Sequence, residues 1–461
     1  MTPGNDAVKE GSSKSLARQL GLFGTTMAVI GGIIGAGIFI NPYLVAQRVH
    51  SPVLIMSAWI TGGLIALIGG FIYAELAVRL PVVGGQYAYL REALHPAVAF
   101  MYGWVLLLVI QTGGMAAVAV TFARYFLELS GWALNDSLVA ALALTVLTAI
   151  NCVGVRAGSR VQSAMTLTAV GAIAVVVVSS LFVVHQVDAQ TATVSPTNPL
   201  LAFGAAMTPI LFAYGGWQTT SFLAGEVRDP RKTLPRGLIL GVLGVIAVYT
   251  SVNFAYLRGL GAAGLATTST PASALMHMVF GAAGARFIAA GIAFSAFGFL
   301  AQSMLTAPRV YFAMAEDGVF FRSVAWVHPR TRVPMVAIAL QGVCAIIIAL
   351  SGTYAQVVNY VVAMDSIFFG LTACCLFVLR KRAVVAAVGD RGGKELSTSV
   401  TSGVSDAGYN VPFHPWTTLL FIAAEWLIVA STFAHDPIRS SIGLGIALAG
   451  LPAFLLWRRS S

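Results

Sequence analysis

The sequence predicts an all-α polytopic membrane protein with twelve transmembrane helices, on three observations. Hydrophobic residues make up 58% of the 461 and charged residues only 10%, whereas a soluble domain carries about 25% charge. Such a chain cannot clothe a water-facing surface, and its mean hydropathy is +0.85. The apolar residues fall in runs of the length a helix needs to cross hydrocarbon. Twelve runs are read, at 20–47, 53–80, 96–129, 136–155, 161–185, 200–226, 236–258, 284–314, 334–352, 355–380, 416–435 and 439–457. Finally, the basic residues are segregated along the chain.

With twelve spans and an inner N-terminus, 22 of the 27 Lys and Arg fall on inner segments, leaving only Arg48, Arg124, Arg258, Arg286 and Arg439 outside. Positive charge stays on the cytoplasmic side, so both termini are expected in the cytoplasm and the chain in the inner (cytoplasmic) membrane. The net charge of +10 is thereby explained by contact with anionic lipid, and no nucleic-acid partner is expected. Residues 1–19 are polar and lead into the first span without a small-residue cleavage site, so they read as a cytoplasmic tail rather than a signal peptide. The four cysteines, Cys152, Cys344, Cys374 and Cys375, lie in or beside apolar spans and read as small buried hydrophobes.

Two loops stand out. Residues 383–415 are rich in Gly, Ser and Thr and read as a flexible cytoplasmic loop dividing ten spans from a final pair at 416–457. The stretch "GEVRDPRKTLPRG" (225–237) combines charge with two prolines and must lie outside the hydrocarbon. Its Glu226, Asp229 and Arg231 are candidates for a latch at the inner end of the sixth span.

The most informative stretch is "VIGGIIGAGIFINP" (29–42), with Gly31, Gly32, Gly35 and Gly37 in an uncharged apolar run. Each glycine costs roughly 1 kcal/mol against alanine in a helix. Gly31 and Gly35 alone suit a close helix–helix contact, but Gly37 lies off that spacing. The sixth span repeats the defect, with Gly215 and Gly216 in the middle of "MTPILFAYGGWQTTSFLAGE" (207–226). Glycine-interrupted spans at corresponding places in two halves mark the midplane binding site of a secondary transporter. Unwinding frees amides and carbonyls, which is tolerable only beside a cavity or a ligand. An outer half-helix starting near Ala36, Gly37 and Ile38 offers N–H groups and a positive dipole end to a carboxylate. An inner half ending near Ile33 and Ile34 offers carbonyls to an ammonium group. A second break near Phe212–Gly216 adds another set. One α-amino acid satisfies both kinds of pole.

"GGIIGAGIF" (31–39), "YAELAVRLPVVGGQYAYL" (73–90), "NCVGVRAGSRVQ" (151–162), "LFAYGGWQTTSFLAGEVRDPRKTLPRG" (211–237) and "PRVYFAMAEDGVFF" (308–321) together resemble the amino acid–polyamine–organocation superfamily, most closely its L-type amino acid transporter branch. The resemblance covers nearly the whole chain. It implies a five-plus-five inverted-repeat (LeuT-like) fold with discontinuous helices 1 and 6, repeats at 20–185 and 200–380, and two extra C-terminal helices. It further implies that the carbonyls of Ile33 and Gly215 take the substrate amine and the amides of Ala36 and Gly37 its carboxylate. Gly35, Ile38, Ala213 and Gly216 belong to the same unwound segments, and Phe212 is the ring that gates the bound substrate. Relatives often carry serine at the place of Ala36. Sodium-independent relatives carry a lysine on helix 5 where this chain has Ala169, and there is no lysine between Lys14 and Lys232. The coupling ion, H+ or Na+, or its absence in pure exchange, is therefore left open.

Two acids fall deep inside spans, Asp365 and Glu425. An unpaired ionisable group at that depth costs several kcal/mol, so each is a candidate for proton or ion coupling. Asp365 also suits a partner for a cationic or hydroxylated side chain, or a structural acid beside Asn359 or Tyr360. Glu425, on the final pair, reads as structural or as part of an oligomer interface. Glu75 and Arg79 are spaced for a local ion pair. Trp217, Tyr87, Tyr89 and Trp104 read as packing or path-lining aromatics, and Gln218, Ser221, Ser295 and Ser303 as polar linings. No phosphate loop, zinc-helix motif, nucleophile elbow or paired CxxC occurs, and all seven histidines lie near span ends. An enzyme is thus not expected, nor any cofactor.

The expected function is secondary active transport of α-amino acids, neutral ones before cationic amino acids or polyamines. A channel or substrate-sensing receptor is the alternative from another class. The expected partners are the amino acid and the bilayer, with a monomer or weak homo-oligomer and no accessory subunit.

Overall fold

The computed structural model describes residues 20–80, 84–153, 159–182, 198–219, 221, 227–329, 331, 333–390 and 409–460. The expected tail 1–19, Glu226 and most of the loop 383–415 lie outside them.

Among the described residues the regular secondary structure is helical, apart from one isolated bridge between Leu20 and Val227. In order the helices are α1 (Leu22–Ile33), α2 (Gly37–Val49), α3 (Pro52–Arg79), α4 (Gln86–Ala93), α5 (Pro96–Val105), α6 (Gln111–Ser130), α7 (Asp136–Val153), α8 (Ser159–Ser180), α9 (Pro199–Tyr214), α10 (Pro230–Thr267), α11 (Pro271–Thr306), α12 (Pro308–Glu316), α13 (Met335–Ser351), α14 (Tyr354–Asp390), α15 (Trp416–His435) and α16 (Pro437–Ser460). Among the described residues nine helical stretches are long and apolar enough to cross a membrane, and ten when α1 and α2 count as one bent span. The chain is a polytopic membrane protein. Two shorter apolar helices, Ala164–Ser180 and Met335–Ser351, complete the apolar set.

Proline and glycine explain most boundaries. Proline opens α3, α5, α9, α10, α11 and α12, where its missing N–H has no helical partner to lose. The chain bends inside α10 at Gly261 (φ 66°) and inside α11 at Gly281 (φ 64°), close to the expected span edges at 258 and 284. Two features escaped the sequence reading: α4 lies beyond the expected end of the second span, and α14 runs on to Asp390 into the stretch read as loop.

The core is built by the glycine-rich helices. α1 and α2 pack on α10 and α9, while α3 packs on α10 and α9 as well. α6, α7, α11 and α13 form a second set of contacts, and α14 joins the sets by touching α6, α9 and α15. Large aromatic side chains fill the space between, with Trp59, Tyr73, Tyr214 and Tyr249 each below 2% exposed. Between α5 and α6 the backbone opens into one π turn, Leu106–Ile110, and Oγ1 of Thr112 donates to the Leu107 carbonyl at 2.8 Å. Such turns recur at functional sites, and this one borders the main cavity.

Candidate functional site

Residues 34–36 separate α1 from α2, whose axes diverge by 43°. Ile34 leaves helical geometry (φ −73°, ψ 81°), and the amide of Gly35 turns back to the Ile33 carbonyl at 2.7 Å. The first amides of α2, at Gly37 and Ile38, start a helix and so have no intrahelical acceptor. The second interruption follows Tyr214. Gly215 is extended (φ −61°, ψ 159°) and Gly216 takes φ 105°, a left-handed conformation open to glycine. A single 3-10 turn continues to Thr219.

The two breaks face each other. A Cβ on Gly37 would come within 2.9 Å of Cα of Ala213, so the start of α2 rests directly on the end of α9. The glycines read as one packing face instead meet different neighbours: Gly31 makes room for Thr166 of α8, Gly35 for the Phe299 ring of α11. Tyr249 of α10 ties the breaks together, its hydroxyl lying 3.1 Å from both the Ile33 and the Ala213 carbonyls. Sequence reasoning missed Tyr249, because one tyrosine in an apolar helix carries no periodic signal.

Around the breaks lies a cavity of about 110 Å³. Ile33, Gly35, Ala36, Gly37, Phe212, Ala213, Gly215, Gly216 and Asp365 line it, as do Trp217, Gln218 and Ser303. Ile38 is fully buried just behind it. Gln218 accepts from the Gly216 amide at 2.9 Å, holding the second break open. Phe212 stands against Tyr354 at 6.3 Å between ring centroids. The Tyr354 hydroxyl donates to Asn41 Oδ1 at 2.9 Å, and Asn41 Nδ2 donates to the Pro209 carbonyl at 2.6 Å. This wall is sealed by aromatic packing and a buried amide. Pro209 lacks the N–H that would engage the Ala205 carbonyl four residues earlier, and the Arg48 guanidinium donates to that carbonyl instead.

Other expected linings lie elsewhere. Trp104 donates to the Ile446 carbonyl at 3.0 Å, and the Tyr87 hydroxyl donates to Asp317 at 2.7 Å. Tyr89 and Ser295 are buried away from the cavity, and Ser221 donates to the Gln218 carbonyl at 2.6 Å. Ala169 is buried on α8. Asp229 lies 4.0 Å from Lys232 on an exposed surface.

Two acids depart from their expected settings. Glu425 reads from the sequence as structural or as part of an oligomer interface on the final helix pair, but α15 packs against α14, α9 and α3. Its carboxyl therefore lies inside the protomer, 3% exposed, on the cavity wall with Asp365 and Ser366. Glu75 is more than half of a local pair. It accepts from Arg79 Nε at 2.7 Å, from Arg380 Nη2 at 2.6 Å and from the Val411 amide at 2.6 Å, clasping α3, α14 and the approach to α15.

Comparisons with known proteins identify the family. A family model for amino acid permeases matches residues 20–446. The chain is 33% identical over 445 residues to the serine/threonine exchanger SteT of Bacillus subtilis (strain 168), covering 95% of this chain and 96% of that protein. It is 28% identical to the mouse large neutral amino acids transporter small subunit 2, over 99% of this chain and 84% of the relative. Identity to the mouse Asc-type amino acid transporter 1 is also 28%, over 96% and 82%. The chain belongs to the amino acid permease family of the amino acid–polyamine–organocation superfamily, as an L-type-like amino acid transporter and not an enzyme.

Proposed function

We propose that the protein carries neutral α-amino acids across the cytoplasmic membrane by alternating access, binding each between the unwound ends of α1–α2 and α9. The observation that carries this is the meeting of two interrupted helices at one cavity, with Cα of Ala213 against Gly37 and one tyrosine bridging both breaks. Free amides at Ala36 and Gly37 suit the carboxylate, and the carbonyls of Ile33 and Gly215 the ammonium group. Phe212 gates the site against Tyr354. The names of the relatives, which specify serine/threonine and large neutral amino acids, support neutral substrates.

The wider architecture belongs to the same proposal. Counting the two shorter apolar helices, the chain crosses twelve times, as two inverted five-helix repeats followed by α15 and α16, with both termini in the cytoplasm. The bias of basic residues supports that orientation. The protein acts as a monomer or weak homo-oligomer without an accessory subunit; a covalent partner would call for a cysteine on an outer loop, and the four cysteines lie within helices.

A thermal-shift screen of the purified protein against the twenty amino acids, with and without sodium at two pH values, tests this. A bound substrate at a hundred times its Kd adds about 2.7 kcal/mol, so a small neutral set is expected to raise the Tm and to show saturable counterflow in liposomes. Absence of both for every amino acid overturns the reading.

A further inference from the structure

The wall of the cavity formed by α14 and α15 holds two carboxyls and no cation. Asp365, Ser366 and Glu425 line it, and no Lys, Arg or His does so among the described residues. The Glu425 side chain is 3% exposed, and its Oε2 has no hydrogen-bond partner. Asp365 lines the same wall, and the Ser366 hydroxyl is within hydrogen-bonding reach of the Glu425 carboxyl. The other titratable groups facing the pair are Tyr73 from α3 and Tyr102 from α5, both fully buried hydroxyls that bring no positive charge. From α9, Tyr214 shares the cavity, and α6 contributes only the neutral Gln111. The surrounding surface is apolar, including Ile65, Ala66, Val361, Val362, Phe369 and Phe421.

Two carboxylates that share such a wall, with one serine hydroxyl and no cation beside them, repel each other and lose hydration, so they call for a cation. A sodium ion draws on carbonyls freed by unwound helix. Here α14 and α15 run unbroken past the two acids, so the carboxyl wall offers no freed carbonyls of its own, and those at the helix breaks, Ile33 and Gly215, are the ones that the reading above gives to the substrate amine. A proton needs none of that coordination.

We propose that Asp365 and Glu425 form a carboxyl dyad that holds one proton, on the otherwise unpartnered Oε2 of Glu425, and that this proton is the ion coupled to amino acid transport. The proposal rests on the transport reading above and assigns its coupling ion. The step is a simple protonation: a carboxylate takes up a proton from water on one side and releases it to water on the other once the cavity has changed its access. The proton adds one positive charge to the cycle, and moving it down 100 mV supplies about 2.3 kcal/mol. That is enough for roughly fortyfold accumulation.

The test uses full-length protein in liposomes loaded with a pH-sensitive dye, with labelled amino acid followed in parallel. The readout is protons moved per amino acid, so a slow variant still reports. About one proton per amino acid is expected in the wild type, driven by a pH gradient and indifferent to sodium. Asp365→Asn and Glu425→Gln are each expected to lower that ratio at least tenfold. Infrared difference spectra of the same proteins give a second readout that needs no transport: a protonated-carboxyl band in the wild type at neutral pH, lost in Glu425→Gln, the variant that removes the group holding the proton. Amino acid uptake without proton movement overturns the dyad, as does a sodium-driven cycle or a variant that keeps both the ratio and the band. Tight, pH-independent binding of cationic amino acids that is lost in either variant would assign the pair to a substrate side chain instead. Failure of any amino acid to be transported or bound would strike the transport reading itself, a separate result.

Discussion

Glu75 and Glu425 are both carboxylates buried in the same helical bundle, at 0% and 3% exposure, yet their surroundings are opposite. Around Glu75 stand two guanidinium groups and a backbone amide, so both its oxygens are engaged. Around Glu425 stand a serine, a second acid and aromatic rings, and Oε2 is left without a partner. Burial alone therefore does not identify a working group. A charge surrounded by its own counter-charges is a fastener, and one that lacks them has room for something that comes and goes.

The largest expected effect breaks the fastener. Glu75→Ala leaves Arg79 and Arg380 facing each other without their acceptor, together with a free Val411 amide. Removing one member of a buried charge pair costs about 3–5 kcal/mol. Thermal unfolding in detergent is expected to show a large loss of Tm, with the folded fraction falling in gel filtration. A variant as stable as the wild type would remove Glu75 from the architecture and erase the contrast with Glu425.

Arg380→Ala is the next step down. It removes two bonds to Glu75, at 2.9 and 2.6 Å, but leaves Arg79 and the Val411 amide in place. Arg380 is 25% exposed, so water screens part of its charge. A charge-assisted bond contributes about 1.5–3 kcal/mol when buried, and a loss of about 1–2 kcal/mol is expected in the same unfolding measurement. If Arg380→Ala matches Glu75→Ala, the guanidinium of Arg79 contributes nothing to the clasp.

Within the cavity, Tyr249→Phe deletes the hydroxyl shared by the Ile33 and Ala213 carbonyls. One hydrogen bond contributes about 1 kcal/mol, so stability is expected to change little and binding more. The Ile33 carbonyl is a pole that the substrate amine needs, and without the hydroxyl it and the end of α9 are free to shift. A several-fold rise in substrate Kd, read by calorimetry, is expected. An unchanged Kd would show that the breaks keep their register without Tyr249.

How much of this was legible in the sequence follows from the physics of each signal. The helix break at 34–36 could be read because glycine is disfavoured inside helices, so four in one apolar run demand a reason. The pairing of that run with Gly215 and Gly216 could be read for the same cause. Ala213 lying against Gly37 could not, since a contact between segments 176 residues apart leaves no local trace. Glu75 and Arg79 announced a pair by their spacing, but Arg380 and Val411 are brought in only by tertiary packing. The place of Glu425 on the cavity wall could not be read, because its helix comes after the loop at 383–415 and chain order carries no information on packing. The packing of α15 on α14, α9 and α3 is what draws its carboxyl to the cavity.

The smallest stability effect is expected at the same residue, and it sharpens the contrast most. Glu425→Gln keeps the side chain's shape while replacing an acid that has no counter-ion with a neutral amide. Nothing in the clasp depends on it, and among the described residues of α14 and α15 that line the cavity the polar neighbour outside the acid pair is Ser366. Removing an uncompensated buried acid is therefore expected to leave the Tm within about 1 kcal/mol of the wild type, or to raise it slightly. Glu75→Gln, the same isosteric change in the fastener, is expected to lose several times more, because it strips a charge from two guanidinium groups. Measured side by side in one detergent, the two substitutions separate a carboxylate that holds helices together from one that does not. Equal losses would mean that Glu425 has a counter-charge after all, and the difference between the two regions would disappear.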